Sequence, residues 1–253
     1  MKLPVRDSCE HRLLMRGRLL IAGVTGALAL ATAGPAAAII HASHVPDAQK
    51  ATFDEVVAYY DHHYEHDANQ VGRKAREALR QEIQPGTAHA DRRPPAIVFD
   101  IDDTALSLYQ CEKAAGDFGS TPLIGCVVAA GVQTTTGTGK GLPRIQPTYR
   151  LYRLAQRLGV SIFFITGRPT LLVDAFKANL RARGYTGKWE LTTYPSPIPP
   201  VGTPLVPYKS GERARIERKG YEIVMDVGDQ LSDLKGGYAN RKVLLPNPMY
   251  FTP

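Results

Sequence analysis

The stretch Ala96-Ile97-Val98-Phe99-Asp100-Ile101-Asp102-Asp103-Thr104 raises the question on which the fold turns. A short apolar run follows Pro94-Pro95 and reads as a buried strand. It runs straight into three aspartates, Asp100, Asp102 and Asp103. Carboxylates crowded at the end of a buried strand repel one another and lose hydration. A solvated turn explains them, and so does a site that holds a cation and works on a phosphate. The rest of the chain decides between these.

Downstream, the strand pattern recurs in VSIFFIT (160–166), WELTTY (189–194), YEIVMDVG (221–228) and KVLLP (242–246). Helical segments separate these runs. Pro147 to Leu158 carries an apolar face of Leu151, Leu154, Ala155 and Leu158. Pro169 to Arg183 and Ser210 to Lys219 follow, and each of the three ends at a glycine. PSPIPPVGTPLVP (195–207) fits neither helix nor central strand, because proline fixes φ and removes donors. Strand and helix alternating in this way predict an α/β fold with a parallel sheet. Upstream, apolar residues from Phe53 to Leu79 recur at helical steps, predicting a helical segment over 52–84 with Gly72 as a candidate break. Residues 39–50 read as a tail. Residues 104–148 read as irregular, an insert of about 105–146 after the first strand.

With 253 residues, 43% hydrophobic and 22% charged, the chain suits one domain with a full core. The formal net charge is +7, of which the first 38 residues contribute +3. The remaining bias is weak, and no Lys/Arg stripe interleaved with aromatics marks a nucleic-acid polymer as partner. The N-terminus has a basic region ending at Arg18, the apolar run LLIAGVTGALALATAG, and Pro35-Ala36-Ala37-Ala38. This is the pattern of a cleaved signal peptide over 1–38, with 39–253 as the mature domain. Met15 would serve as an alternative start with a more compact basic region. The apolar run is short and rich in Gly and Ala, which argues against stable membrane insertion. Export to a periplasm or the medium would remove Cys9 and leave Cys111 and Cys126 in an oxidising compartment. A disulfide between them is expected, closing a loop worth about 3 kcal/mol by loop-closure entropy. Spacing alone leaves two free buried thiols open.

The polar clusters follow strands. After the second strand comes Thr166-Gly167-Arg168, and after the fourth Gly228-Asp229-Gln230-Leu231-Ser232-Asp233; Lys209-Ser210 precedes a helix. Each alone is a common turn or cap. In this order, at strand ends, they fit one reaction. Asp100, Asp102 and Asp229 suit a hard divalent cation with oxygen ligands, Mg²⁺. Asp100 can attack phosphorus and form an aspartyl-phosphate. Asp102 can protonate the leaving oxygen and then activate water. Thr166, Gly167 and Lys209 can hold the phosphoryl oxygens, with Asp233 in support.

These pieces resemble the haloacid-dehalogenase (HAD) superfamily, in its secreted acid phosphatase branch of class-B-like enzymes and plant vegetative storage proteins. The resemblance is carried by FDIDDTALS, FFITGRP, YKSGERARIERKGYEIVMDVGDQLSDLKGG, LPNPMY and the upstream YYDHHYEHD, and covers roughly residues 53–253. It implies a Rossmann-like core, Mg²⁺ dependence and hydrolysis of small phosphomonoesters at acid pH. By that resemblance Asp100 is the nucleophile, Asp102 the acid/base with its backbone carbonyl on the metal, and Asp229 a metal ligand. LTTYPSPIPP departs from relatives, which often have Leu-Arg and an acidic residue there. A storage or binding protein with little turnover, and a phosphotransferase, are the alternatives.

Two further stretches invite other readings. TTTGTGKG (134–141) resembles a nucleotide-binding loop, but Thr134 stands where glycine is required and Gly141 where Ser/Thr is required. It reads instead as a flexible loop near the site. His62 and His66 stand four apart and could share a helix face as a zinc pair, although no third ligand is evident.

Overall fold

The β-rich runs form strands because each is short, apolar and bounded by turn residues. A computed structural model of the chain describes residues 38–86, 93–197 and 202–252. In chain order the elements are β1 (Ile39–Ile40), α1 (Phe53–His62), α2 (Tyr64–Glu82), β2 (Pro95–Phe99), α3 (Tyr109–Ala115), α4 (Ser120–Thr136) and α5 (Gln146–Arg157). Then come β3 (Ser161–Pro169), a short 3₁₀ turn (Thr170–Leu172), α6 (Val173–Ala182), β4 (Glu190–Tyr194), α7 (Val206–Arg218), β5 (Glu222–Gly228), α8 (Leu231–Leu234) and β6 (Arg241–Leu244). Residues 1–37 of the expected export signal, with Cys9 and Met15, lie outside the described residues.

All strand pairs are parallel, in the order β1-β6-β5-β2-β3-β4. This is the α/β architecture expected. Alternating side chains of β2 point to opposite faces. Ile97 and Phe99 enter a large core with Leu79, Leu151, Tyr152 and Phe164. Ala96 and Val98 enter a smaller one with Phe163, Ile165, Ile216 and Ile223. Helices therefore cover both faces, which a parallel sheet requires. Among the described residues, no helix is long and apolar enough to cross a membrane.

Several expectations need correction. Residues 39–50 are not wholly a tail, since Ile39–Ile40 pairs with β6 as an edge strand too short to leave a periodic signal. The helical segment breaks at His63 and not at Gly72. Gly72 lies inside α2 because α5 packs tightly there: a Cβ would come within 2.7 Å of Pro147 Cβ. The insert is not irregular but holds α3 and α4, whose Gly, Ala and Thr content hides them from an amphipathic pattern. TTTGTGKG is no free loop at its start. Thr134, Thr135 and Thr136 form the last turn of α4, and their hydroxyls donate to carbonyls one turn back. α7 begins at Val206 and takes Pro207 into its first turn, where the missing N–H costs nothing. The helix expected from Pro169 starts as a 3₁₀ turn before α6.

Candidate active site

β2 and β5 end side by side, and β3 runs on beyond them to Pro169. Phe99 pairs with Val227 on one side and Phe164 on the other. The Asp100 amide still donates to the Val227 carbonyl at 2.9 Å. After β2 the chain builds β3 and β4 on one side, then crosses to build β5 and β6 on the other. β2 thus stands at the topological switch point, where the loops part and leave a crevice.

Asp100, Asp229 and Asp233 meet there. One oxygen of each lies within 4.8 Å of the others, and all three residues are buried. Lys209 reaches in from α7, donating at 2.8 Å to Asp100 Oδ1 and also to Asp233. Burial alone acts against the lysine's charge, but Asp100 and Asp233 outweigh it and hold its pKa above the usual value. Burial, opposed by Lys209 and reinforced by the other aspartates, pushes the Asp100 carboxyl well up. Burial, then Asp233 and Asp103, push Asp229 up to about 8. One ammonium does not balance three carboxylates. The surplus negative charge and the all-oxygen donor set fit a hard divalent cation.

Asp229 is fixed on both oxygens. Thr104 Oγ1 donates to Oδ1 at 2.8 Å, while Gln230 Nε2 and Asn247 Nδ2 donate to Oδ2 at 2.9 and 2.8 Å. Gln230 also donates to the Tyr250 carbonyl and accepts from the Thr252 amide. The Tyr250 hydroxyl donates to Asp103 Oδ2 at 2.9 Å. Asp103 sits at φ +46°, a left-handed conformation that aspartate tolerates, and its other oxygen accepts from the Leu108 amide. The LPNPMY tail is thus bonded to the site from behind. Asp233 Oδ2 accepts from the Asp229 and Gln230 amides. A Cβ at Gly228 would run into the Asp233 carboxylate. Beneath them, buried Arg213 pairs with Asp226 at 3.1 Å and donates to the carbonyls of Asp233, Lys235 and Gly237.

Asp102 is set apart. Its side chain is not among the three converging carboxylates but pairs with Arg168, whose Nε lies 2.9 Å from Asp102 Oδ2. β2 ends at Phe99, yet Asp100 and Asp102 line the same pocket, and only Asp100 joins the carboxylate group. Thr166 is buried, and its hydroxyl accepts from the Arg168 amide at 3.1 Å. Gly167 packs close to Leu205: a Cβ there would come within 2.8 Å of the Leu205 Cδ1 methyl. Asp100, Asp102, Gly167, Arg168, Lys209 and Asp229 share one pocket of about 400 Å³. Its far wall is apolar, formed by Ile124, Val127 and Val128 of α4 with Leu172, Leu205 and Phe251. Cys126, next to that wall, is disulfide-bonded to Cys111 of α3 with Cα atoms 5.8 Å apart.

The sequence reading passed over Thr104, Arg168, Gln230, Asn247 and Arg213. All five stood within the quoted motifs FDIDDTALS, FFITGRP, YKSGERARIERKGYEIVMDVGDQLSDLKGG and LPNPMY, so a signal for them existed, but no role was read from it. His62 and His66 do not share a helix, since α1 ends at His62 and α2 begins at Tyr64. Among the described residues, no histidine joins a group of three or more possible metal ligands.

Residues 24–253 match the family of HAD superfamily, subfamily IIIB acid phosphatases. Among similar proteins, the stem 28 kDa glycoprotein of Glycine max is 34% identical over 61% of this chain and 59% of its own length. Vegetative storage protein 1 of Arabidopsis thaliana is 32% identical over 62% and 55%, and acid phosphatase 1 of Solanum lycopersicum 30% over 61% and 58%. The matched part of the chain thus spans less than two thirds of each of these relatives. The class C acid phosphatase of Bacillus anthracis has a similar fold, with a TM-score of 0.57 at 20% identity over 77% of this chain and 83% of that one. The sheet order, the strand-end aspartates and the match over nearly the whole sequence lead to one conclusion: this chain belongs to the HAD superfamily, subfamily IIIB, the acid phosphatase family.

Proposed function

We propose that the protein is an exported acid phosphatase that hydrolyses small phosphomonoesters through Asp100. The observation that carries this reading is the convergence of Asp100, Asp229 and Asp233 around Lys209 at the switch point of the sheet. Asp100, Asp229 and Asp233 are the residues that would hold Mg²⁺, which when bound supplies positive charge to a phosphate oxygen. Lys209 occupies Asp100 Oδ1, which leaves Oδ2 as the attacking atom. Oδ2 forms a bond to phosphorus as the bond to the ester oxygen breaks, and the leaving oxygen takes a proton from Asp102. Asp102 then removes a proton from water, the water oxygen attacks phosphorus, and inorganic phosphate departs from restored Asp100. Thr166, the Gly167 backbone and Lys209 hold the phosphoryl oxygens as negative charge builds on them. Arg168 holds the Asp102 carboxylate at the pocket by both oxygens, so one of them must leave the guanidinium before Asp102 can serve the leaving group.

The signal peptide of residues 1–38 accounts for export, and the mature domain follows it. Two relatives named as vegetative storage proteins favour a second reading, a protein that keeps the fold with little turnover. The complete carboxylate set and Lys209 favour turnover. The deciding experiment is phosphate release from p-nitrophenyl phosphate with Mg²⁺ and with EDTA, beside Asp100→Asn. Metal-dependent release that falls at least about a thousandfold in the variant is expected for a lost nucleophile. No release from folded wild type, with nucleotide and sugar phosphates tried as well, would leave the storage reading. New phosphoesters on adding glycerol would turn the assignment to phosphotransfer.

A further inference from the structure

Away from the catalytic pocket, a cleft of about 650 Å³ lies along α2 and α5. Three guanidinium groups face it: Arg73 and Arg76 from α2, and Arg150 from α5. The packing of the two helices brings them together. Gly72 and Pro147 touch where a Cβ on Gly72 would not fit, which leaves no room to spread the neighbouring turns. Asn69 Oδ1 accepts from Arg150 Nη1 at 3.1 Å and draws it across the gap. Among the described residues, no carboxylate pairs with any of the three arginines. Arg76 Nη1 is buried without a hydrogen-bond partner. A buried guanidinium donor left unbonded is costly, and like charges set this close repel. Burial first, then Arg150, Arg80 and Arg73, act against the charge on Arg76.

Two acids line the cleft with the three arginines and leave one positive charge in excess. Asp61 is engaged by Lys113 at 3.5 Å. Glu65 is exposed and can turn to water. The cleft therefore keeps an excess of positive charge, has a partly buried arginine with one unbonded donor in its wall, and has room for a small ion. A tetrahedral oxyanion presents several acceptors at once, which matches guanidinium groups arriving from different directions.

We propose that this cleft is a second anion site, separate from the catalytic pocket, that binds a free tetrahedral oxyanion such as inorganic phosphate or sulfate on Arg73, Arg76 and Arg150. It does not depend on the phosphatase reading, because none of its residues belongs to the strand-end site. In that reading the product is itself such an anion, so the cleft would sense product without competing for the catalytic pocket.

The test is a sulfate titration of full-length protein carrying ¹⁵N-labelled arginine, followed through the side-chain Nε–H resonances. Arg168 reports on the catalytic pocket in the same spectra, so the two sites are read apart. Expected are saturating shifts of Arg76 and Arg150 that share one binding curve. Arg150→Gln, at an exposed position, should weaken the Arg76 curve by about tenfold, as loss of one charged contact does, while leaving the Arg168 curve unchanged. Arg150→Lys should weaken it less. Linear, unsaturating shifts of Arg76 and Arg150 would overturn the proposal. So would an Arg76 curve that Arg150→Gln does not move in folded protein, as judged by an unchanged thermal midpoint.

Discussion

At the carboxyl ends of β2 and β5, the carboxylates around Asp100 are held by several donors each. Asp229 has three side-chain donors, Asp233 two backbone amides and a lysine, and Asp103 an amide and a phenol. Across the same pocket, the α4 wall of Ile124, Val127 and Val128 presents no polar group to be fixed, and a disulfide ties it to α3. The two sides meet different demands. A site for charge transfer needs atoms held to fractions of an ångström, and directional bonds do that. A wall that shapes a pocket needs only to stay in place, and one covalent tie suffices. The two sides should therefore respond differently to damage.

The largest effect is expected at Arg213. Arg213→Ala leaves Asp226 buried without its partner and removes donors from three carbonyls below the β5 turn. A loss of about 3–5 kcal/mol of stability is expected on breaking such a buried pair, read from denaturant melts. An unchanged melting midpoint would mean that the charged side of the pocket does not depend on its bonds. Cys111→Ser with Cys126→Ser should cost about 3 kcal/mol. Turnover of a minimal substrate such as methyl phosphate should stay near wild type, while KM for bulky aryl phosphates rises. If kcat for both falls equally, the wall is not separable from the charged site.

The same contrast explains what was legible in sequence. The strands and strand-end aspartates were readable because buried parallel strands are short apolar runs and because each polar cluster interrupts one. Lys209 was readable from its place before a helix core, although α7 starts earlier than its prolines suggested. The α3 and α4 helices were not readable. α3 is too short to show a period, the apolar residues of α4 face both the core and the pocket so that no single stripe emerges, and Thr-rich turns disguise the end of α4. The pairing of Asp102 with Arg168 was hidden as well, because it depends on where β2 stops and not on residue type. Asn247 was visible as part of a motif, but its role depends on a contact with Asp229, 18 residues away in sequence.

Glu112 supplies a test of the ground between the two sides. It lies on α3, fully buried, with neither carboxylate oxygen hydrogen-bonded, although the Gly119 amide is near enough to offset part of the cost. Burial, then Asp102, raise its pKa from 4.5 to about 8. The folded state therefore binds a proton that the unfolded chain releases, so stability is greatest below the unfolded pKa and falls as pH rises toward the folded one. Glu112→Gln removes that loss. It should stabilise the protein by on the order of 2 kcal/mol near pH 7.5 and by almost nothing near pH 4. An equal gain at both pH values would show that packing, and not the carboxylate, is responsible.

The smallest and most specific effect is expected at Asn247. Its amide donates to Asp229 Oδ2 and its carbonyl accepts from the Met249 amide at 2.8 Å, so it ties the tail to a carboxylate proposed to hold the cation. Asn247→Ala leaves Asp229 with Gln230 on that oxygen and Thr104 on the other. The carboxylate keeps its place but loses one constraint on its angle. Outer partners of this kind typically change metal affinity by about 10–100-fold, and the two remaining donors put the expectation at the low end, about tenfold. A Mg²⁺ titration read by thermal midpoint should show this weakening without any substrate present. Turnover at saturating Mg²⁺ should then recover most of the wild-type rate, which separates positioning of the carboxylate from a role in the chemical step. Weakened turnover that Mg²⁺ does not restore would place Asn247 in the transition state and erase the distinction between bonds that hold the site and bonds that do its chemistry.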